Sequence, residues 1–365
     1  MSTINTNTRI KSNLREKILI TGAAGFIGSI LSAELSRKGF HVIAVDANFF
    51  NTLSILAKFP NVKTIQMDFR DITIQDLSDV SQIVHLAALP NDPAGKIFDE
   101  KICEDINGTS VGELAQSAYR AGCKQFIFMS TCSVYGSSGN SDDWLTEKSP
   151  IFPLGNYAKS KRIAEEELIK VKKQGLNIAI FRAATLFGFS PIRTRLDLPV
   201  NRFSLQAHFY KKVWAIGTDL WRPLVDVHDV VRAIIAFITF LPNLENNFII
   251  NLGNSQYNWK LGEIANVVAE EFNGVPVENM NSERDLRSYR VNFDNLKIIF
   301  PQAVPSISLR SGLQIFKYIL EAGQFTRLDE FSPTYNVASG YKSLLATGQL
   351  RADCRYAIMP RGKLN

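Results

Sequence analysis

Four cysteines in 365 residues, Cys103, Cys123, Cys132 and Cys354, show none of the paired spacings of a disulfide framework or a metal knuckle. Three of them lie in apolar helix or strand contexts, so reduced thiols in a cytoplasm are expected and no metal site is. Long hydrophobic runs are missing too: the longest, Ala233 to Leu241, is too short to span a bilayer and reads as a buried helix. Residues 1–13 are polar and lack the apolar core of a secretion signal, so a loose extension is expected there. No internal repeat or low-complexity tract interrupts the chain. The formal charge is +6 and the isoelectric point about 9.0, yet the basic residues are scattered or gathered at the ends: Arg9, Lys11, Arg15 and Lys17 in front, Arg351, Arg355, Arg361 and Lys363 behind. That pattern excludes a nucleic-acid stripe and leaves solubility with a mild preference for anionic ligands. With 45% hydrophobic and 21% charged residues, the chain can bury a large core, as a main domain plus a smaller lobe.

What is present begins with Ile18-Leu-Ile-Thr-Gly22-Ala-Ala-Gly25-Phe-Ile-Gly28-Ser, an apolar run that ends in glycines spaced by threes and turns into a helical pattern. A strand entering a tight turn needs the backbone freedom of Gly22, and the following helix offers unpaired N–H groups and the positive end of its dipole. Together they form a seat for a diphosphate. The spacing is one residue longer in its first gap than the usual dinucleotide fingerprint. The helix carries Ile27, Ile30, Leu31 and Leu35 on one face and stops at Arg37-Lys38-Gly39. A second buried strand, His41 to Asp46, then ends in a carboxylate that can accept both hydroxyls of an adenosine ribose. No arginine follows closely to welcome a 2′-phosphate, which favours NAD over NADP.

The alternation of strands and helices continues. Strands are expected over Val62 to Asp68, Gln82 to Ala88, Gln125 to Thr131 and Asn177 to Ala183, with helices over about Lys101 to Ala121 and Asn156 to Lys173. This predicts an α/β fold of the Rossmann type, a doubly wound parallel sheet whose ligands bind beyond the strands' carboxyl ends. From about Thr185 the pattern loosens at Pro191, Pro199, Pro223, Pro242 and Pro301, which predicts a smaller C-terminal α/β lobe. The expected division is an extension over 1–16, an NAD-binding domain over 17–184, a substrate lobe over 185–330 with some return to the main domain, and a tail over 331–365. The tail, with Tyr335, Tyr341, Leu344 and Leu345, can pack on the second lobe or serve as a partner's handle, and the sequence leaves both open.

Tyr157-Ala-Lys-Ser-Lys161 sets a phenol and an ammonium four residues apart, on one helical face. A tyrosine acts as a base near neutral pH only if its pKa falls from ~10 by about three units, and an adjacent fixed cation is the available means. Thr131, just past an apolar strand, offers a small hydroxyl to the substrate oxygen that gains or loses the proton. Hydroxyl, phenol and ammonium together point to an oxidoreductase site beside a nicotinamide.

These segments resemble the extended short-chain dehydrogenase/reductases, in their nucleotide-sugar epimerase/dehydratase branch. The matches are Thr21 to Gly28, His85-Leu-Ala-Ala88, Ser130-Thr-Cys-Ser-Val-Tyr-Gly136, Tyr157-x-x-x-Lys161, Arg182-Ala-Ala-Thr-Leu-Phe-Gly188 and Trp221 to Asp229, in the family's order over most of residues 17–320. In that family the longer glycine spacing is the expected one. The resemblance implies that Gly22, Gly25, Phe26 and Ile27 hold the NAD diphosphate, Asp46 the adenosine ribose, Asp68 and Phe69 the adenine, and Leu86, Ala87 and Ala88 the middle of the cofactor. It implies further cofactor contacts at Ser130 and Ala184, an acid/base role for Tyr157, and for Lys161 a role as its partner and a ligand of the nicotinamide ribose. Thr131 would bond the sugar's 4-oxygen. Cys132, Ser133, Asn201, Arg222 and Arg287 would lie on the side of a nucleotide-diphosphate sugar, although Asn281-Ser-Glu-Arg stands where an Arg-Pro-Gly-Asp is common. A homodimer through the two helices near 101–121 and 156–173 is implied as well, with no nucleic acid and no membrane as partners.

The reaction turns on Cys132 and Ser133. Members that remove water across C5 and C6 carry an Asp-Glu pair there; this chain has neither acid, so a 4,6-dehydratase is disfavoured. The 4-epimerases carry a small residue and then a hydroxyl, which Cys132-Ser133 imitates. A C4 epimerase working through a 4-keto sugar is therefore expected, with Cys132 as a packed side chain rather than a nucleophile. A 4-oxidoreductase, a keto-sugar 3,5-epimerase, the disfavoured 4,6-dehydratase and, from another class, a catalytically silent dinucleotide-sensing regulator are the alternatives.

Overall fold

Seven strands, β1 (Lys17–Thr21), β2 (His41–Asp46), β3 (Val62–Gln66), β4 (Val80–His85), β5 (Gln125–Thr131), β6 (Asn177–Ala183) and β7 (Ile249–Leu252), form one sheet in the order β7-β6-β5-β4-β1-β2-β3. Every neighbouring pair is parallel. The computed structural model describes residues 16–90, 97–137, 143–240, 248–280 and 287–357. Strand order reverses between β1 and β4, and a crevice opens beyond the carboxyl ends of the strands at that point.

The strands are apolar throughout because both faces of the sheet are covered. Ile18 and Ile20 of β1 face one core with Ile30, Leu31 and Leu35 of α1 (Phe26–Arg37), while Leu19 faces the other with Val111 and Leu114 of α2 (Ser110–Arg120) and Leu168 of α3 (Gly155–Lys172). The lobe is built on α4 (Pro199–Tyr210), α6 (Leu261–Glu271) and α7 (Leu309–Glu321), with a three-stranded sheet in which Trp221–Asp226 lies between Thr185–Phe187 and Asn258–Lys260. Its core is separate, around Phe203, Leu224, Ile264 and Phe316. Elements after residue 185 also return to the main domain: α5 (Val227–Phe240) packs on α1, β7 pairs with β6, and the short helix Asp294–Ile299 packs against β7. Among the described residues no helix is long and apolar enough to cross a membrane.

Three expected elements differ in detail, one of them β4, which spans Val80–His85 where Gln82 to Ala88 was expected. The helix expected over 101–121 is Glu100–Glu104, a π turn over Asp105–Thr109, and α2. The π turn places the Asn107 amide where it accepts from Leu89 N at 2.8 Å and donates to Leu89 O at 3.0 Å, tying the helix to the end of β4. Strand β3 ends at Gln66 because Asp68 leaves the ladder to cap a short helical turn, accepting from Arg70 N at 3.0 Å. The tail forms a further helix, α8 (Val337–Ala346), which packs on the main domain through Val337 and Tyr341.

The turn after β1 fixes the geometry of everything beyond it. Gly22 has φ +68°, and a Cβ there would stand 2.6 Å from Ala87 N; a Cβ on Gly28 would stand 2.2 Å from Gly22 O. Gly28→Ala is therefore expected to force the α1 backbone off the turn, at about 1–3 kcal/mol of overpacking. Urea denaturation checks this as a lower midpoint with an unchanged slope.

Candidate active site

Helix α1 starts at Gly25 with no side chain capping it and no acid in its first turn. The unpaired N–H groups and the dipole of that turn are left for a ligand. Gly22, Gly25, Phe26, Ile27 and Gly28 line one end of a cleft. Two cavities, of about 760 and 1150 Å³, share Gly22, Gly25, Phe50, Leu86, Ala88 and Tyr341, so they form one trough along the carboxyl ends of the strands.

The first half gathers Asp46, Asp68, Phe69, Leu86, Ala87 and Ala88. Asp46 accepts from Ala24 N at 3.0 Å and Asn48 N at 2.6 Å; burial raises its pKa while these two amides oppose the rise. Asp68 is gripped by Arg70, whose Nε and Nη2 reach it at 3.0 and 2.6 Å. The second half gathers Ser130, Thr131, Ser133, Tyr157, Lys161 and Ala184. No carboxylate lines that second half among the described residues, while Lys161, Arg193 and Arg195 do. Asp46 and the Arg70-paired Asp68 thus lie at one end and three cations at the other, an arrangement suited to a ligand with hydroxyls at one end and phosphates further along.

Thr131 accepts from Ser133 N at 3.1 Å, which leaves its own hydroxyl proton to donate into the cleft. Lys161 is 2% exposed. Its Nζ donates to Met129 O at 2.9 Å and lies 4.5 Å from the Phe128 ring and 5.9 Å from the Tyr157 ring. Burial lowers its pKa from 10.5 to about 7, against the pull of Glu165. Lys161 is therefore not the fixed cation expected from its spacing: burial disfavours its charge, and an anion beside it favours it.

Behind the cleft lies a polar network that the motifs do not announce. Glu165, one helical turn after Lys161, accepts from Ser130 Oγ at 2.6 Å and from Arg182 Nε and Nη2 at 3.0 and 2.7 Å. Arg182 donates on to Tyr135 Oη at 3.1 Å, and Tyr135 to Asn251 Oδ1 at 2.7 Å. Both members of the Glu165–Arg182 pair are sealed from solvent. The four-residue spacing from Lys161 was the available signal for Glu165. Arg193 and Arg195 come from an irregular proline-containing loop, and Tyr341 from the tail, so no period marked them.

The expected substrate-side residues divide. Ser133 lines the cleft, its Oγ 3.1 Å from Tyr289 Oη. Cys132 does not: it is buried, its thiol meets Arg182 O at 3.2 Å, and burial pushes its pKa up. That corrects its placement among ligand contacts and matches the packed side chain expected from its apolar strand. Asn201 is likewise turned away, because its amide accepts from Gly188 N at 3.0 Å and donates to Gly188 O and Arg195 O at 2.8 and 2.9 Å. It fastens the loop that carries the arginines. Arg222 and Arg287 are buried side by side, Arg222 Nη1 donating to the carbonyls of Trp221 and Arg287, and neither lines the trough. Arg222 lies 5.5 Å from the ring of Tyr289, the residue that meets Ser133. The stretch Asn281 to Arg284 falls outside the described residues.

Two outcomes follow. Glu165→Ala strands the buried Arg182 charge and should cost about 3–5 kcal/mol, read as a lower denaturation midpoint. For Lys161, the folded chain releases the proton at about pH 7 and the unfolded chain at 10.5, so stability rises with pH across that window. Lys161→Met should remove that slope: nucleotide-free variant and wild type differ most, in the variant's favour, below about pH 7, and the gap closes towards pH 10.

Comparison with known proteins identifies the chain's family. The model of the family described as "NAD dependent epimerase/dehydratase family" matches residues 18–253. An uncharacterized UDP-glucose epimerase, YtcB, of Bacillus subtilis is 31% identical over 239 residues, 61% of this chain and 72% of the relative. UDP-glucuronic acid decarboxylase 1 of Xenopus tropicalis is 28% identical over 247 residues, 66% of this chain, which spans 57% of that relative's length. Among solved structures, MoeE5 in complex with UDP-glucuronic acid and NAD superposes with a TM-score of 0.71 at 26% identity, over 84% of this chain and 99% of that one. With a doubly wound sheet, a glycine turn opening an uncapped helix and a Tyr-Lys pair in one trough, the chain belongs to the NAD-dependent epimerase/dehydratase family.

Proposed function

We propose that this protein epimerises a nucleotide-diphosphate sugar at C4, with NAD as its cofactor. One observation carries the reading: Thr131, Ser133, Tyr157 and Lys161 line the same cavity as the glycine turn of α1. The cleft residues fit NAD, since an uncapped helix start stands between the carboxylates of Asp46 and Asp68 and the cations of the other half. Gly22, Gly25, Phe26 and Ile27 would hold its diphosphate, Asp46 its adenosine ribose and Lys161 its second ribose. When bound, NAD supplies a reversible hydride acceptor.

The chain's own groups handle the proton. Tyr157 Oη takes it from the 4-hydroxyl, and the Lys161 ammonium stabilises the phenolate that does so. Thr131 donates its hydroxyl proton to the same oxygen and keeps it in line. After the 4-keto sugar has turned about its diphosphate link, C4 would regain the hydride on its other face as Tyr157 returns the proton to the 4-oxygen. Epimerisation is favoured over 4,6-elimination because, among the described residues, no carboxylic acid lines this half to protonate a leaving hydroxyl at C6. Relatives named for UDP-sugars support uridine as the nucleotide, and relatives named as enzymes give no support to a silent regulator.

A homodimer through α2 and α3 belongs to the same proposal, supported by their lying side by side with Tyr119 at the surface. A cytoplasmic setting is supported by four cysteines that are all unpaired.

Tyr157→Phe is expected to lower turnover by at least a thousandfold while NAD binds within a fewfold of wild type, a loss of about 4 kcal/mol confined to the transition state. Turnover is followed by NMR of a panel of nucleotide sugars and NAD binding by calorimetry. Retained turnover would reject the assignment.

A further inference from the structure

The loop between Gly188 and α4 delivers a cation that no motif assigns. Arg193 is 2% exposed, its guanidinium lies 3.3 Å from the centroid of the Phe50 ring, and its Nη1 has no hydrogen-bond partner. It lines the same cavity as Gly22 and Gly25. The nearby anions are committed elsewhere: Asp46 to two backbone amides, and Asp197 to Arg195 at 3.0 and 2.6 Å. A buried charge in that state is costly, and the cost falls only when an anion arrives. We propose that Arg193 is the cation that pairs with the diphosphate of the bound dinucleotide, and that the C-terminal segment holds it in place.

Position decides which anion it meets. Arg193 rests on the ring of Phe50, which with Gly22 and Gly25 lines both halves of the trough, whereas Arg195 is held by Asp197. In a dinucleotide the group between the two nucleosides is the diphosphate, and the helix start at Gly25 faces the same space. Burial and the neighbouring Arg195 lower the Arg193 pKa to about 10, which is the signature of a charge lacking its partner.

The C-terminal segment supplies the other wall. Tyr341 of α8 lines both halves of the trough and meets Phe50 edge-on, ring centroids 5.8 Å apart, with Phe98 at 5.2 Å on another side. A Cβ on Gly340 would stand 2.5 Å from the Phe50 ring, so α8 lies directly against the platform on which Arg193 rests. Beyond α8, Arg355 Nη1 reaches both oxygens of Asp71 at 2.8 Å and Tyr356 Oη donates to Asn48 O at 3.1 Å. Arg70, which grips Asp68, also reaches the carbonyls of Asp353 and Cys354. Thus the tail is fastened across the wall of the cofactor cleft, and α8 lies outside the 18–253 span of the family match.

The inference rests on the dinucleotide cleft and not on C4 chemistry, so its failure would leave the proposed reaction standing. The test titrates nucleotide-free full-length protein and its Arg193→Met variant with NAD, ADP, adenosine and UDP by calorimetry. Methionine keeps much of the packing on Phe50 and removes the charge. The expected result is a roughly 10- to 100-fold weaker affinity for NAD and ADP, with adenosine and UDP within twofold. Without ligand, the variant should melt no lower than wild type, because it loses an uncompensated charge. Arg193→Lys should restore part of the ADP affinity. Unchanged NAD and ADP affinities would overturn the proposal. So would loss confined to UDP, which would assign the cation to the sugar nucleotide, or a lower melting point with every ligand weakened alike, which would make Arg193 a packing residue.

Discussion

The ammonium of Lys161 sits where a charge is poorly tolerated, and the chemistry depends on keeping it there. Burial drives its proton off near neutrality, while Glu165, one turn along α3, opposes that drift. Glu165 cannot relax towards Lys161 because Arg182 and Ser130 hold its oxygens. Arg182 is in turn fixed by Tyr135, and Tyr135 by Asn251 on β7. The site helix is therefore locked to three strands by polar groups that have no access to water, and a shift of any one exposes an unpaired buried charge. That rigidity aligns Tyr157, Lys161 and Thr131 on the cleft.

Charge is distributed along the trough in the same spirit. The adenosine half carries Asp46 and Asp68, the latter paired with Arg70; the other half carries Lys161, Arg193 and Arg195 and no acid among the described residues. A phosphate-bearing ligand relieves that cationic excess, so ligand binding and the charge state of Lys161 are linked: an anion beside it raises its pKa and restores the ammonium. The tail takes part in this arrangement by pressing Tyr341 against Phe50, which makes residues far apart in the chain share one wall.

Much of this was legible in the sequence because it is local. Strand β1, the turn at Gly22 and α1 are set by an apolar run, a position with φ +68° and a helical stripe, all within neighbouring residues. Tyr157 and Lys161 are tied by helical period, and Asp46 by its place at a strand end. What escaped is non-local. Asn201 looked like a ligand contact, yet its amide closes on Gly188 and Arg195, a loop geometry no period encodes. Cys132 follows an apolar strand and is sealed behind it by the carbonyl of Arg182, fifty residues on. The tail has an ordinary helical pattern, but its destination depends on Phe49, Phe50 and Asp71, which the sequence places nearly three hundred residues earlier.

The central claim is that Tyr157 and Lys161 act on C4 of a nucleotide sugar within a closed cycle in which no carbon-bound hydrogen exchanges with solvent. It is tested most directly by incubating the enzyme in ordinary water with a UDP-hexose deuterated at C4 and following product by NMR. The account predicts an inverted C4 that keeps its deuterium, with no solvent hydrogen entering C3 or C5. Loss of the label from C4, or solvent exchange at C3 or C5, would contradict it.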